Sequence, residues 1–230
     1  MFNGPLGAAF GHVFARITEN QARQLHEASL EILERTGVRL YESEAIALLT
    51  GAGASVSDGN LVRIPGAIVE RALNLAPKRV VLYDRNGRAV MPVEGTATFY
   101  GPGSDCLYIV DQSSGERRRA LLDDVIKGII LCDALEHIDF VMSLFLPKNI
   151  KGEIADRYQM KAMLEHTTKP IIAVSYEVSG CVDAVEMAEA AVGGAESLRE
   201  KPVVASYINV TSGLRYDKDA LGKLLYLAEK

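Results

Sequence analysis

The chain has 230 residues, of which 48% are apolar and 24% charged, so it can bury a substantial hydrophobic core in one large or two modest domains. The formal net charge of -5 predicts that neither nucleic acid nor an anionic membrane is the main partner. No run approaches the roughly 18 apolar residues of a membrane span, and Met1–Phe14 lacks the basic and apolar regions of a signal peptide. We therefore expect a cytoplasmic protein with a flexible or docking N-terminal arm.

The first 95 residues predict a small mixed α/β region. Thr18 can cap an amphipathic helix that runs to Gly37, where the absence of a side chain favours a stop. The other predicted elements are helices at 43–50 and 65–76 and two hairpins, with turns at Asp58-Gly59 and Asn86-Gly87. We place a domain boundary after residue 95, where this pattern ends.

From residue 96 onward, apolar strands and helices alternate. The predicted strands lie at 107–110, 138–146, 171–174 and 203–207, and the predicted helices at 123–135, 153–166, 182–191 and 218–230. This alternation predicts an α/β fold with a parallel sheet or part of a (β/α) barrel. A closed TIM barrel needs about 250 residues, so residues 96–230 predict only the first βα units of one.

A short pattern occurs twice in this second region. Lys169-Pro170 precedes the apolar run IIAV and Ser175-Tyr176, and Lys201-Pro202 precedes VVA and Ser206-Tyr207. Their separation is close to one strand-helix-strand unit, and the continuous apolar runs are typical of strands buried on both faces. Ligands bind at the carboxyl ends of such strands, so the pattern predicts a site near the two tyrosines.

Cysteines and histidines give no metal signal. The 3 Cys and 4 His residues are dispersed, without the spacing of a local metal or redox site. We therefore predict no bound metal.

Several segments, in order along the chain, resemble one known family. They are Ile17–Val38 with the run LHEASLEILERTGV, Val62–Pro65, Tyr100–Gly103, Asp111 with Ser114–Arg118, Ile138–Val141, His166–Pro170, Gly193-Gly194 and Asn209–Leu214. Together they resemble the trimethylamine and glycine betaine methyltransferases, whose members pass a methyl group to a corrinoid protein. The resemblance covers nearly the whole chain from Ile17.

The resemblance implies a TIM barrel that binds a methylated amine at its top face, with the corrinoid (cobalamin) carried by a partner protein rather than by this chain. Cobalt would supply the nucleophile, so no nucleophile-base pair is needed and the catalytic residues stay unassigned. Family members are considerably longer, so the chain corresponds to the first half of the barrel. We expect either a homo-oligomer or a missing C-terminal half to cover the open sheet.

The loop Tyr100–Asp105 is the first candidate for binding the amine. Gly101 and Gly103 permit close backbone approach, and the Asp105 carboxylate could offset a substrate cation. The alternative is a plain turn that ends a strand, with a solvated aspartate.

The strand ends supply the other candidates. Tyr100, Tyr176 and Tyr207 could form part of a cation–π cage, or their rings could fill the barrel mouth or its outer layer. Glu177 could add a carboxylate, although an exposed loop glutamate is more common. Asn209, followed by Thr211 and Ser212, could orient a substrate carboxylate or cap the next helix.

Three functions remain open on the sequence. The first is a corrinoid-dependent methylamine methyltransferase. The second is a catalytically inactive partial barrel that binds or assembles with a partner. The third is a different TIM-barrel enzyme with a small anionic substrate, which a Gly-rich phosphate loop before a helix would favour; Gly193-Gly194 instead follows a helix.

Overall fold

The computed structural model of the chain describes residues 16–210 and 213–230. The predicted N-terminal arm, Thr211 and Ser212 lie outside the described residues. Within the described part, the structure is mixed α/β, with helices and four small sheets.

The described part contains eight α-helices and ten strands, numbered in chain order. The helices are α1 Glu19–Glu31, α2 Ser43–Gly51, α3 Gly66–Leu75, α4 Leu122–Ala134, α5 Ala155–His166, α6 Val178–Val192, α7 Ala195–Glu200 and α8 Lys218–Glu229. The strands are β1 Val38–Leu40, β2 Ser55–Ser57, β3 Leu61–Arg63, β4 Val80–Tyr83, β5 Ala89–Val93, β6 Tyr108–Val110, β7 Arg117–Arg119, β8 Ile171–Val174, β9 Val204–Tyr207 and β10 Arg215–Tyr216.

Both predicted hairpins are confirmed. Strands β2 and β3 pair antiparallel across Asp58-Gly59, and β4 and β5 pair antiparallel across Asn86-Gly87. Gly59 and Gly87 each have φ of +77°, a left-handed conformation that glycine adopts without steric cost. The turn residues therefore fixed these two connections locally.

The repeated pattern forms the predicted parallel pair. Strand β8 pairs with β9 in parallel, with Ile171 opposite Val204 and Val174 opposite Tyr207. Helices α6 and α7 connect the two strands. The strand-helix-strand interpretation of the repeat is confirmed, and it places the ends of the two strands side by side.

The predicted strand at 138–146 is wrong in its extent. It appears only as parallel bridges from Val141 to Ile171 and from Phe145 to Cys106. Leu144 has φ of +58°, which interrupts an extended chain, and the Phe145 N–H bonds the Ser143 carbonyl at 2.7 Å in a tight turn. Helix α6 also begins earlier than predicted, at Val178 rather than Val182.

The chain divides into two compact units. The described part of the first is Arg79–Tyr207, and the second joins the described residues up to Lys78 with residues 208–210 and 213–230. The core of the first unit lies among α4, α5, α6 and the parallel strands, where Val125, Ile129, Val141 and Ile171 are fully buried. This core supports the ends of the parallel strands.

In the second unit, four strands follow the spatial order β10-β1-β3-β2. Strand β10 pairs in parallel with β1, with Arg39 opposite Arg215. The core of this unit includes Val38, Leu40, Val62 and Leu221. Neither β1 nor β10 was predicted, because both are too short to carry a periodic pattern.

Residues 16–210 and 213–230 contain no closed barrel, since each sheet has two or four strands. The interpretation of residues 96–230 as the first βα units of a TIM barrel therefore stays a prediction. The two compact units are defined by contacts between residues of this chain. The domain boundary after residue 95 also stays a prediction.

A charged network ties the β6–β7 hairpin to α4. The Arg118 guanidinium donates two hydrogen bonds to Asp124, at 2.7 and 2.8 Å, and a third to Asp111 at 2.9 Å. Asp124 also accepts the Leu121 N–H at the start of α4. The hydrogen bonds from Arg118 lower the pKa of the nearly buried Asp124 below its ordinary value.

This network predicts a loss of stability in acid. Because the folded-state pKa of Asp124 is depressed, its contribution is complete above the unfolded-state pKa of about 3.9 and declines as the pH falls through the lower folded value. We expect Asp124→Asn to cost about 1 kcal/mol near neutral pH. Thermal unfolding at a series of pH values should show the two proteins converging below about pH 4. A gap that stays constant with pH would contradict this account.

Candidate functional site

Three side chains of the first unit meet at the carboxyl end of β8. The Tyr176 hydroxyl oxygen lies 3.3 Å from Asp105 Oδ1 and 3.4 Å from Gln159 Oε1. Asp105 comes from the loop before the Cys106 bridge, Tyr176 follows β8, and Gln159 lies on α5. We call Asp105, Tyr176 and Gln159 the acceptor cluster.

A buried carboxylate accepts a hydrogen bond from the backbone of Tyr176. Asp156 is 3% exposed, and its Oδ2 accepts the Tyr176 N–H at 3.3 Å. Its Oδ1 accepts from the Arg157 backbone N–H at 2.9 Å and from the Arg157 guanidinium at 3.2 Å. Gly180, in the first turn of α6, leaves the space that Asp156 Oδ2 occupies. The Tyr176 backbone N–H is therefore held by a buried carboxylate that pairs with the partly exposed Arg157.

Glu177 takes part in this supporting network, and its contacts in the structure lie outside the acceptor cluster. Its Oε1 lies 3.8 Å from an Arg157 nitrogen and accepts from the Ser179 hydroxyl at 2.9 Å. Arg157 also pairs with Asp183 at 2.7 Å. The Glu177 carboxylate is thus partly neutralised by a neighbouring cation.

The glycine loop lies along the neighbouring segment 139–146. The Tyr100 N–H donates to Asp139 Oδ2 at 2.7 Å, and the Gly103 carbonyl accepts the Leu144 N–H at 3.1 Å. The ring of Phe140 packs directly on Gly101, where any Cβ would overlap it. Gly101 therefore has a packing role in addition to any role in ligand approach.

Asp105 itself has φ of +60°. Asp and Asn adopt this left-handed conformation more readily than other residues with side chains, and strained backbone is often found at functional sites. Leu144 in the adjacent segment is also left-handed. The loop thus holds the Asp105 carboxylate against Tyr176 at a cost in backbone strain.

Tyr176 keeps its proton at neutral pH. Burial of the hydroxyl, with a further contribution from the Asp105 charge, raises its pKa well above the ordinary value. The residue is still 37% exposed. The cluster therefore presents a neutral phenol beside a carboxylate, open to solvent on one side.

The structure does not bring every predicted residue to this cluster. The rings of Tyr100 and Tyr207 are exposed, and the backbone of Tyr207 pairs with Val174. Asn209 is exposed and belongs to the second unit. Tyr100, expected at a strand end, lies in an irregular segment without strand pairing. The roles assigned to Tyr100, Tyr207 and Asn209 stay predictions.

Sequence reasoning missed Gln159 and Asp156. They lie three residues apart on α5 and are buried on the same helix that buries Met160 and Met163. Two polar residues at helical spacing among core positions are unusual, because buried polar groups need partners. That spacing was the signal that could have found them.

A separate cavity of about 520 Å³ lies beside α4. Arg118, Asp111 and Asp124 are in its wall, and both carboxylates are already paired with Arg118. Lys127 also lines the cavity, so its two carboxylates face two cationic side chains, and the acceptor cluster is the better candidate for a cationic ligand.

Among the described residues, no group of three or more His, Cys, Asp or Glu side chains could hold a metal ion. No described helix combines the length and apolar character needed to cross a membrane.

These features define an α/β protein with a candidate cation-binding site at the carboxyl ends of parallel strands. The profile of the trimethylamine methyltransferase (MTTB) family matches residues 11–230. The chain belongs to this family.

Three curated proteins of known name are similar in sequence to this chain. A trimethylamine methyltransferase of Desulfitobacterium hafniense strain DCB-2 is 27% identical over 206 residues, covering 89% of this chain and 42% of the relative. A glycine betaine methyltransferase of strain Y51 is 27% identical over 214 residues, covering 93% and 44%. A trimethylamine methyltransferase of Methanosarcina mazei is 28% identical over 215 residues, covering 88% and 42%. The chain spans less than half the length of these relatives.

Proposed function

We propose that the chain contributes to a methyltransferase that moves a methyl group from a methylated amine to the corrinoid of a partner protein. Membership of the trimethylamine methyltransferase family supports this proposal. The observation that points to particular residues is the Asp105 carboxylate, which lies 3.3 Å from the hydroxyl of the partly exposed Tyr176 at a strand end. A carboxylate and an aromatic ring together are suited to hold an alkylammonium ion.

The chemistry requires a cationic amine. When a methyl group leaves nitrogen for another atom, the bonding electron pair stays on nitrogen, so an ammonium ion departs as a neutral amine and a neutral amine would depart as an anion. The partner's corrinoid would supply the cobalt that receives the methyl group. The chain's own task is to bind the cation, orient its methyl group and exclude water.

In this proposal the Asp105 carboxylate attracts the ammonium ion, and the Tyr176 ring packs against one face of that ion. The glycine loop with Gly101 and Gly103 sets the position of Asp105. The Tyr176 ring is partly exposed, so the cluster is accessible to a partner, which fits a corrinoid approaching from outside. Glu177 and Tyr207 are proposed only as further lining of the site.

Calorimetric titration of the 230-residue chain with trimethylamine hydrochloride and with glycine betaine tests the proposal. Saturable binding of either ligand, weakened by Tyr176→Ala, would support it. We expect that substitution to lose the cation–π contact, worth about 0.5–2 kcal/mol. Absence of binding by both ligands to the folded chain would count against it.

The open sheet favours a second candidate, a partial barrel that assembles with another chain. Among the described residues, β9 has β8 as its one ladder partner, so its other edge is available. Sedimentation of the chain separates the two functions. Concentration-dependent assembly without amine binding would favour the assembly protein.

A further inference from the structure

The acceptor cluster contains more hydrogen-bond acceptors than donors. Asp105 Oδ1 and Gln159 Oε1 both face the Tyr176 hydroxyl, which has one proton to donate. The separations of 3.3 and 3.4 Å exceed the roughly 2.5–3.0 Å of ordinary O–H···O bonds. The phenol therefore satisfies at most one of the two oxygens, and only weakly.

The orientation of the Gln159 amide is fixed by its second contact. Its nitrogen donates to the Phe145 carbonyl at 2.7 Å, and a carbonyl can only accept, so Nε2 must face Phe145 and Oε1 must face Tyr176. Gln159 is 2% exposed. A flipped amide would place two oxygens together in a buried setting, so the acceptor stays directed into the cluster.

Asp105 keeps its negative charge available. Within residues 16–210 and 213–230, the ion pairs closer than 4.0 Å do not include its carboxylate. Its other oxygen, Oδ2, accepts from the Ser104 hydroxyl at 3.3 Å. The cluster thus has one uncompensated charge and a shortage of protons, and a ligand that brings both a positive charge and an N–H would satisfy it.

We propose that the acceptor cluster selects an ammonium ion that carries an N–H, as a protonated tertiary or secondary methylamine does, over a quaternary ammonium ion. Gln159 is then a specificity-determining residue, because its Oε1 is needed in either hydrogen-bond arrangement. Oε1 accepts the ligand N–H itself, or it accepts the Tyr176 hydroxyl proton and so leaves Asp105 to accept the ligand N–H. A quaternary ion can fill the same charge site but leaves one acceptor unsatisfied. This inference rests on the proposed function and narrows it to one substrate class.

Titration of the unaltered chain with tetramethylammonium and trimethylammonium chlorides, which have equal charge and similar shape, tests the N–H directly. We expect trimethylammonium to bind about tenfold more tightly, a difference of about 1.4 kcal/mol. If tetramethylammonium binds as tightly or more tightly, the inference is wrong and the proposed function survives. If neither ion binds the folded chain, the proposed function fails and the inference fails with it.

Gln159→Met tests the residue, since methionine keeps a similar length without the acceptor. We expect the preference for trimethylammonium to shrink to less than about threefold. Partial unfolding would lower the binding of both ions equally and leave their ratio unchanged, so the ratio separates specificity from stability. Gln24→Met, at an exposed position on α1, is the matched control and should keep the full preference. A Gln159→Met protein that keeps it too would overturn the role of Gln159.

Discussion

Replacing Asp105 with asparagine is expected to weaken the binding of methylated ammonium ions by about tenfold to a hundredfold. The substitution removes the one negative charge of the acceptor cluster, and hydrogen bonds to charged groups are worth about 1.5–3 kcal/mol. Asparagine adopts left-handed backbone as readily as aspartate, so φ of +60° at this position is retained. Calorimetric titration with trimethylamine hydrochloride measures the effect.

Asp123→Asn provides the control for Asp105→Asn. It makes the same chemical change in the same unit, at an exposed carboxylate on α4 that pairs with Lys127. Its effect on amine binding should be small, because exposed ion pairs contribute little and salt screens distant charges. Equal losses in the two variants would mean that binding responds to overall charge, and Asp105 would lose its assigned role.

Gly180→Ala is expected to destabilise the chain by about 2–3 kcal/mol and to disrupt the acceptor cluster. The added methyl group would overlap Asp156 Oδ2, which bonds the Tyr176 N–H. Asp156 is buried and held by Arg157, so it cannot withdraw into solvent without leaving an unpaired buried charge. Thermal unfolding should show a decrease in Tm of about 5–10 °C, and amine binding should weaken as Tyr176 moves.

Gly152→Ala is the matched control for Gly180→Ala. Gly152 lies in the short helical turn Gly152–Ile154 of the same unit, and a Cβ there would meet no atom within 4 Å. It should be neutral or slightly stabilising, because alanine restricts the unfolded chain. If both substitutions left Tm unchanged, the close packing of α6 on Asp156 would not hold in solution.

Much of the site's location could be predicted from sequence. The Lys-Pro repeat predicted two adjacent parallel strands, and Tyr176 follows the first of them as expected. The loop containing Asp105 was selected for its glycines and its carboxylate, and the structure places Asp105 beside Tyr176. The strand prediction succeeded because strand pairing depends on short, local patterns of residues, whereas the binding role of Asp105 stays a prediction.

The rest of the candidate site, Gln159 and Asp156, is positioned by packing between helices and strands. Gln159 and Asp156 meet Tyr176 because α5 packs beside β8, and their sequence positions do not give that distance. In the second unit, β10 pairs with β1 although most of the chain separates them. Such contacts depend on how crossovers pack and on loop conformations such as the left-handed Asp105 and Leu144.

Residue patterns alone were therefore enough to predict the α/β class, the family and the parallel pair of strands beside which the candidate site lies. Three-dimensional packing was needed to learn which polar groups converge there, that Glu177 pairs with Arg157, and that two oxygens compete for one phenolic proton. The physical reason is that local propensity acts over a few residues, whereas the charge and hydrogen-bond balance of a site is set by side chains that packing brings together from distant parts of the chain.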